Sequence, residues 1–132
     1  MTQEEKDLLL VDLSSRLPYK VKCIVTKSRT EEGQKGDVGK IVNICLEGVE
    51  CIDTSPFFSE FGNFKPYLFP LSSMTEEQAK IFLKLESMCF LSSTDKIGPK
   101  IEFFDWLNRN HFDYRGLIEK ELAIDATGLD IY

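Results

Sequence analysis

This 132-residue chain has one histidine, one tryptophan and five prolines, and its four cysteines never fall at C-x-x-C spacing. A single histidine rules out a paired-histidine zinc motif. Cys45 and Cys51, with five residues between them, are spaced wrongly for a zinc knuckle. Glu47, Glu50 and Asp53 lack the order of a calcium-binding loop. No metal and no cofactor is therefore expected. There is no G-x-S-x-G elbow to expose a nucleophile. The apolar run Leu8-Leu9-Leu10-Val11 stops at Asp12, and no segment reaches the length of a membrane span. The opening Met1–Asp7 is acidic, the opposite of a signal peptide's basic start. The cysteines lie in short apolar runs, as reduced structural thiols do. A cytoplasmic protein without membrane contact is expected.

What the chain does have is apolar and aromatic bulk. Apolar residues make up 42% and aromatics 11%, enough for one sizeable core, and no linker divides residues 1–132. The expected fold is α+β, with a small antiparallel sheet over about residues 20–54. An N-terminal helix and two later helices pack against it. Residues 3–15 read as the first helix, with Leu9, Leu10, Leu13 and Leu17 on one face and Pro18 as its stop. Val21, Cys23 and Val25 alternate as the inward face of a strand. Val42, Ile44 and Leu46 do the same for a second strand, and Val49–Thr54 forms a third. The intervening Gly33–Gly39 fits no phosphate-binding motif and reads as a hairpin loop.

Residues 55–71 follow neither period, because Pro56, Gly62, Pro66 and Pro70 interrupt six aromatics. They are expected to be irregular, with one short strand at Tyr67–Phe69. Thr75-Glu76-Glu77-Gln78 is a capping box that opens a helix over 75–90, with Ile81, Phe82, Leu85, Met88 and Cys89 inward. Pro99 begins a third helix over 99–110, with Ile101, Phe104 and Leu107 on one face and Phe103 and Trp106 beside it. A turn or short helix is expected at Leu117–Leu122 and a turn at Thr127-Gly128. Leu129 and Ile131 are expected to tack down the end of the chain.

Three groups of residues are candidates for function. His111, Asp113 and Arg115 place an imidazole, a carboxylate and a guanidinium within five positions, the ingredients of a catalytic or anion-binding site. A structural alternative has His111 close a helix C-terminus as a cation while Asp113 accepts backbone hydrogen bonds. Phe57, Phe58, Phe61, Phe64 and Tyr67 serve either as core or as a partner surface. Residues 16–40 carry a local net charge of +4, with Lys20, Lys22, Lys27, Arg29 and Lys35 as candidate nucleic-acid contacts. The whole chain is at −6, which makes such binding unfavourable.

Two segments resemble a family of small proteins found in gut Bacteroides-type bacteria and their phages or mobile elements. One is Lys65-Pro66-Tyr67-Leu68-Phe69-Pro70-Leu71-Ser72-Ser73-Met74-Thr75-Glu76-Glu77. The other combines Asp105-Trp106-Leu107-Asn108 with His111-Phe112-Asp113-Tyr114-Arg115-Gly116-Leu117-Ile118. Glu5-Lys6-Asp7-Leu8 and Arg16-Leu17-Pro18-Tyr19 resemble the same family's start, and Phe69 stands where its members carry a basic residue. The resemblance implies kinship and host, and brings no activity with it. The expected function is that of a non-enzymatic accessory protein acting through protein partners or self-association. The alternatives are a small enzyme or anionic-ligand binder at His111, Asp113 and Arg115, and a nucleic-acid binder through the basic hairpin.

Overall fold

The computed structural model describes residues 1–27, 36–90 and 97–132. The fold is α+β. Helix α1 (Gln3–Arg16) starts at a capping box, in which Thr2 Oγ1 accepts from the Glu5 amide and Glu5 accepts from the Thr2 amide. Seven strands form one sheet: β1 (Lys22–Val25), β2 (Val38–Ile44), β3 (Gly48–Ile52), β4 (Pro56–Glu60), β5 (Phe64–Pro70), β6 (Phe112–Asp113) and β7 (Ile124–Asp125). Their order is β4-β3-β2-β1-β5-β6, with β7 also on β5. The first five strands pair antiparallel, whereas β6 and β7 join β5 in parallel. Helices α2 (Glu76–Phe90) and α3 (Ile97–Arg109) pack on each other.

The sheet therefore runs well beyond residue 54. The segment expected to be irregular holds β4 and the central β5, and the short strand at Tyr67–Phe69 is part of β5. Both prolines of β5 fall within strand geometry, since proline's fixed φ is compatible with an extended chain. What it lacks is an amide donor. Phe64, Leu68 and Tyr67 are buried along β5, so aromatic bulk and strand coincide here.

Val21, Cys23 and Val25 point inward as expected. The second strand does not keep the expected face. Between Ile41 and Asn43 the register slips against Cys51 and Glu50, inserting one extra residue. That bulge reverses the alternation: Gly39 and Ile41 are buried before it, Val42 is exposed, and Ile44 packs on the core after it. Leu46 sits in the turn to β3 and is exposed. The third strand ends at Ile52, two residues short of the expected Thr54.

Cys23 on β1 and Cys51 on β3 approach to 3.2 Å between sulfurs, although β2 runs between their strands. Gly39 on β2 leaves the room, because a Cβ there would lie 3.1 Å from the Cys51 Cβ and 2.9 Å from the Phe57 ring. Strands two apart are separated by about 9.5 Å, beyond the Cα reach of a disulfide. The pair is two free buried thiols. The hydrogen bond between them, and then burial, push the Cys23 thiol far above its ordinary pKa. Cys89 is also buried, whereas Cys45 is exposed, contrary to its expected place in an apolar interior.

Two apolar clusters result. One lies between α1 and the sheet, and takes in Leu117 and Leu122 from the later turns. The other joins α2, α3 and Phe112 of β6. The capping box of α2 is present, with Thr75 and Gln78 each accepting the other's amide. Only Leu85 and Cys89 of its expected stripe are buried, with Phe82 packed beside them; Ile81 and Met88 face solvent. On α3 the buried residues are Phe103 and Leu107 on one side and Asn108, one turn past Phe104, rather than Ile101, Phe104 and Leu107. Phe103 and Leu107 pack with α2 and Phe112, and that packing turns Ile101 and Phe104 outward. The turn at Leu117–Leu122 is as expected. Leu129 is exposed, Ile131 is half-buried with its carbonyl accepting from Lys22 Nζ, and Tyr132 adds a hydrogen bond to the Tyr67 carbonyl.

Candidate functional site

The side chains of His111, Asp113 and Arg115 go three separate ways. His111 follows the end of α3 with a left-handed backbone, φ 61°, and its amide donates to the Asn108 carbonyl. This is the helix-closing geometry usually taken by glycine. Its ring stacks on Tyr132 at 3.8 Å between centroids. Asp113 accepts from the Leu117 and Ile118 amides at 3.0 and 2.9 Å, which fixes the turn that buries Leu117. Arg115 turns toward α1, with Nε 3.2 Å from Asp12 Oδ1 and its guanidinium over the Tyr114 ring.

His111 borders a cavity of about 420 Å³, together with Phe69, Ser73, Arg109, Thr127 and Tyr132. Tyr132 closes one side: its hydroxyl donates to the Tyr67 carbonyl at 2.8 Å and accepts from the Lys22 amide at 2.9 Å. Burial raises the Tyr132 pKa, so the phenol stays protonated. Burial, then the charges of Arg16 and Lys22, lower the His111 pKa to about 4. His111 is thus a neutral imidazole near pH 7, and the expectation that it closes α3 as a cation is not met. Its Nδ1 is buried without a hydrogen-bond partner.

The sign of the His111 effect gives a prediction. The folded pKa lies below the ordinary 6.5, so the unfolded chain binds more protons between pH 6.5 and 4. The His111 contribution to stability is intact above pH 6.5 and is lost as pH falls toward 4. Urea melts at pH 7 and pH 4.5 will show a smaller acid-induced loss in His111→Gln than in the unmodified protein. An equal loss in both contradicts the neutral assignment.

The proposed aromatic surface is mostly interior. Phe61, Phe64 and Tyr67 are 7%, 1% and 6% exposed, and Phe57 packs against the sheet cluster. Phe58 alone remains half-exposed outside that cluster. Of the basic candidates, Arg29 and Lys35 lie outside the described residues. Lys22 donates through Nζ to the Ile131 carbonyl, while Lys20 and Lys27 are exposed.

Two features were not anticipated. The first is a buried ion pair within α1. Arg16 donates to Asp12 through Nε at 2.7 Å and Nη2 at 3.1 Å, and Nη2 also donates to the Phe112 carbonyl at 2.7 Å. Both side chains are 0% exposed. The spacing i, i+4 on the helix's apolar side was the available signal. The second is the outer face of α3. Ile97, Ile101 and Phe104 are 70%, 51% and 39% exposed and recur at four- and three-residue intervals. Ile101, Phe104, Lys100 and Asp105 line a groove of about 590 Å³ closed on its other side by Ser15, Tyr114 and Arg115. Val11, one turn before Ser15 on α1, is exposed as well.

Among the described residues, no group of histidine, cysteine and carboxylate side chains is placed to hold a metal, and no helix is long and apolar enough to cross a membrane. Compared with known proteins, the chain matches no family model, no curated protein and no solved structure.

Proposed function

We propose that the protein is a non-enzymatic accessory protein that acts through protein contacts, and that the contact surface is the outer face of α3. The observation that carries this reading is the exposed stripe Ile97, Ile101 and Phe104 beside a groove with one polar wall. Apolar residues at d, a and d spacing are what one helix presents to another. Leaving three such side chains in water has no benefit to the isolated fold, and contiguous exposed apolar groups mark contact sites. The occupant that fits is an amphipathic helix with its own apolar stripe. The separate placement of His111, Asp113 and Arg115 supports the non-enzymatic half of the reading. The family resemblance supports a bacterial or phage setting, and the free buried thiols of Cys23 and Cys51 support a reducing compartment such as the cytoplasm.

A synthetic amphipathic helix with leucines at a and d positions tests the surface. Titrated into the isotope-labelled protein, it is expected to shift the amide signals of residues 97–108 selectively, and Ile101→Glu is expected to abolish the shifts. No response at a concentration where the protein is monomeric, or shifts confined to the sheet, would overturn the reading.

A further inference from the structure

We propose that the helix received by this face is α3 of a second copy, in a parallel pairing about a two-fold axis along the helices. The inference rests on the protein-contact reading and adds the partner's identity. Written as heptads, Ile97 is d, Ile101 is a and Phe104 is d. Lys100 then occupies g and Asp105 occupies the following e. In a parallel two-stranded pairing, a g residue of one helix lies beside the e residue five positions further along its partner. Lys100 of each copy thus meets Asp105 of the other, so the symmetry makes two oppositely charged pairs across the seam.

That match is specific to this arrangement. Lys100 and Asp105 lie on opposite flanks of the same apolar stripe, too far round the helix to reach each other within one copy. No ion pair engages either residue among the described residues, although both border the groove. An antiparallel pairing sets g against g and e against e, placing lysine beside lysine and aspartate beside aspartate. The parallel register therefore satisfies charge and apolar contact together, while the antiparallel one satisfies only the latter. A two-fold contact also uses the same patch on both subunits, which a single self-complementary stripe provides. α3 is already held helical by Phe103 and Leu107 in its own core. The pairing does not have to nucleate the helix, which two isolated heptads would fail to do.

Sedimentation equilibrium of the full chain and four variants is the test. The unmodified protein is expected to show a concentration-dependent dimer of 15.1 kDa subunits. Ile101→Glu is expected to leave monomer only. Lys100→Glu and Asp105→Lys are each expected to weaken association about ten-fold, by replacing two attractions with two repulsions. The double variant Lys100→Glu/Asp105→Lys is expected to recover the original affinity, since the pairs are restored with reversed sign. A protein that is monomeric throughout overturns the second-copy proposal. If the synthetic helix still binds α3 in that case, the protein-contact reading stands alone. A dimer that survives Ile101→Glu, or single charge changes without rescue in the double variant, also overturns it. Circular dichroism of each variant separates lost association from lost fold.

Discussion

Arg16→Ala is expected to destabilise the fold by about 3–5 kcal/mol, the range for removing one partner of a buried ion pair. Arg16 donates twice to Asp12 and once to the Phe112 carbonyl, and its guanidinium lies 5.0 Å from the centre of the Tyr114 ring. Removing it leaves the Asp12 carboxylate, which is 0% exposed, with only the partly exposed Arg115 beside it. It also leaves the Phe112 carbonyl without this donor. The pair ties α1 to β6, two segments almost a hundred residues apart in sequence.

The double variant Asp12→Leu/Arg16→Met discriminates this account from one based on lost volume. Apolar residues of similar size remove both charges together and often restore stability. The remaining loss is expected to be about 1–3 kcal/mol, from the unsatisfied Phe112 carbonyl. Urea unfolding of the single and double variants measures both. A cost below about 1 kcal/mol for Arg16→Ala would mean that the buried pair is not what joins these segments.

Gly48→Ala is expected to cost about 3 kcal/mol or more, at the upper end for forcing atoms into a packed region. Gly48 opens β3 directly opposite Glu60 of β4. A Cβ at this position would lie 2.1 Å from the Ser59 carbonyl oxygen and 2.8 Å from the Glu60 Cα. Both obstacles are backbone, so no rotamer change relieves the clash. The strands must separate, and with them the Phe61 amide that donates to the Glu47 carbonyl. Hydrogen exchange on β4 amides, together with urea unfolding, reads the effect. Gly36→Ala is a useful contrast, because a Cβ there meets nothing within 4 Å and only its φ of 94° opposes the change. A Gly48→Ala variant with unchanged β4 protection would contradict the packing argument.

The sequence was legible where a single period ran without interruption. The strand at Val21–Val25 and the capping box at Thr75–Gln78 are both written in adjacent residues. It was illegible where a long-range event changed the local pattern. The bulge between Ile41 and Asn43 reverses the face of β2, and nothing in Lys40–Leu46 alone shows which residue is the extra one. β5 was hidden by its prolines, although β1 pairs with Pro66 and β6 with Pro70. The same limit applies to the candidate sites. His111, Asp113 and Arg115 are neighbours in sequence, but one closes α3, one caps the next turn and one reaches α1. The α3 stripe was present as Ile97, Ile101 and Phe104, yet Phe103 and Leu107 offered an equally apolar alternative. Only packing against α2 and β6 decides which of the two faces is buried.

The central claim is that α3 presents its outer face to another helix, that of a second copy. Intermolecular nuclear Overhauser effects in a mixture of isotope-labelled and unlabelled protein test it most directly. The parallel seam predicts contacts between equivalent residues: Ile101 methyls of one copy with Ile101 of the other, and Phe104 rings with Phe104. No intermolecular contacts, contacts made only by sheet residues, or an Ile101–Phe104 pattern without like-to-like contacts would contradict it.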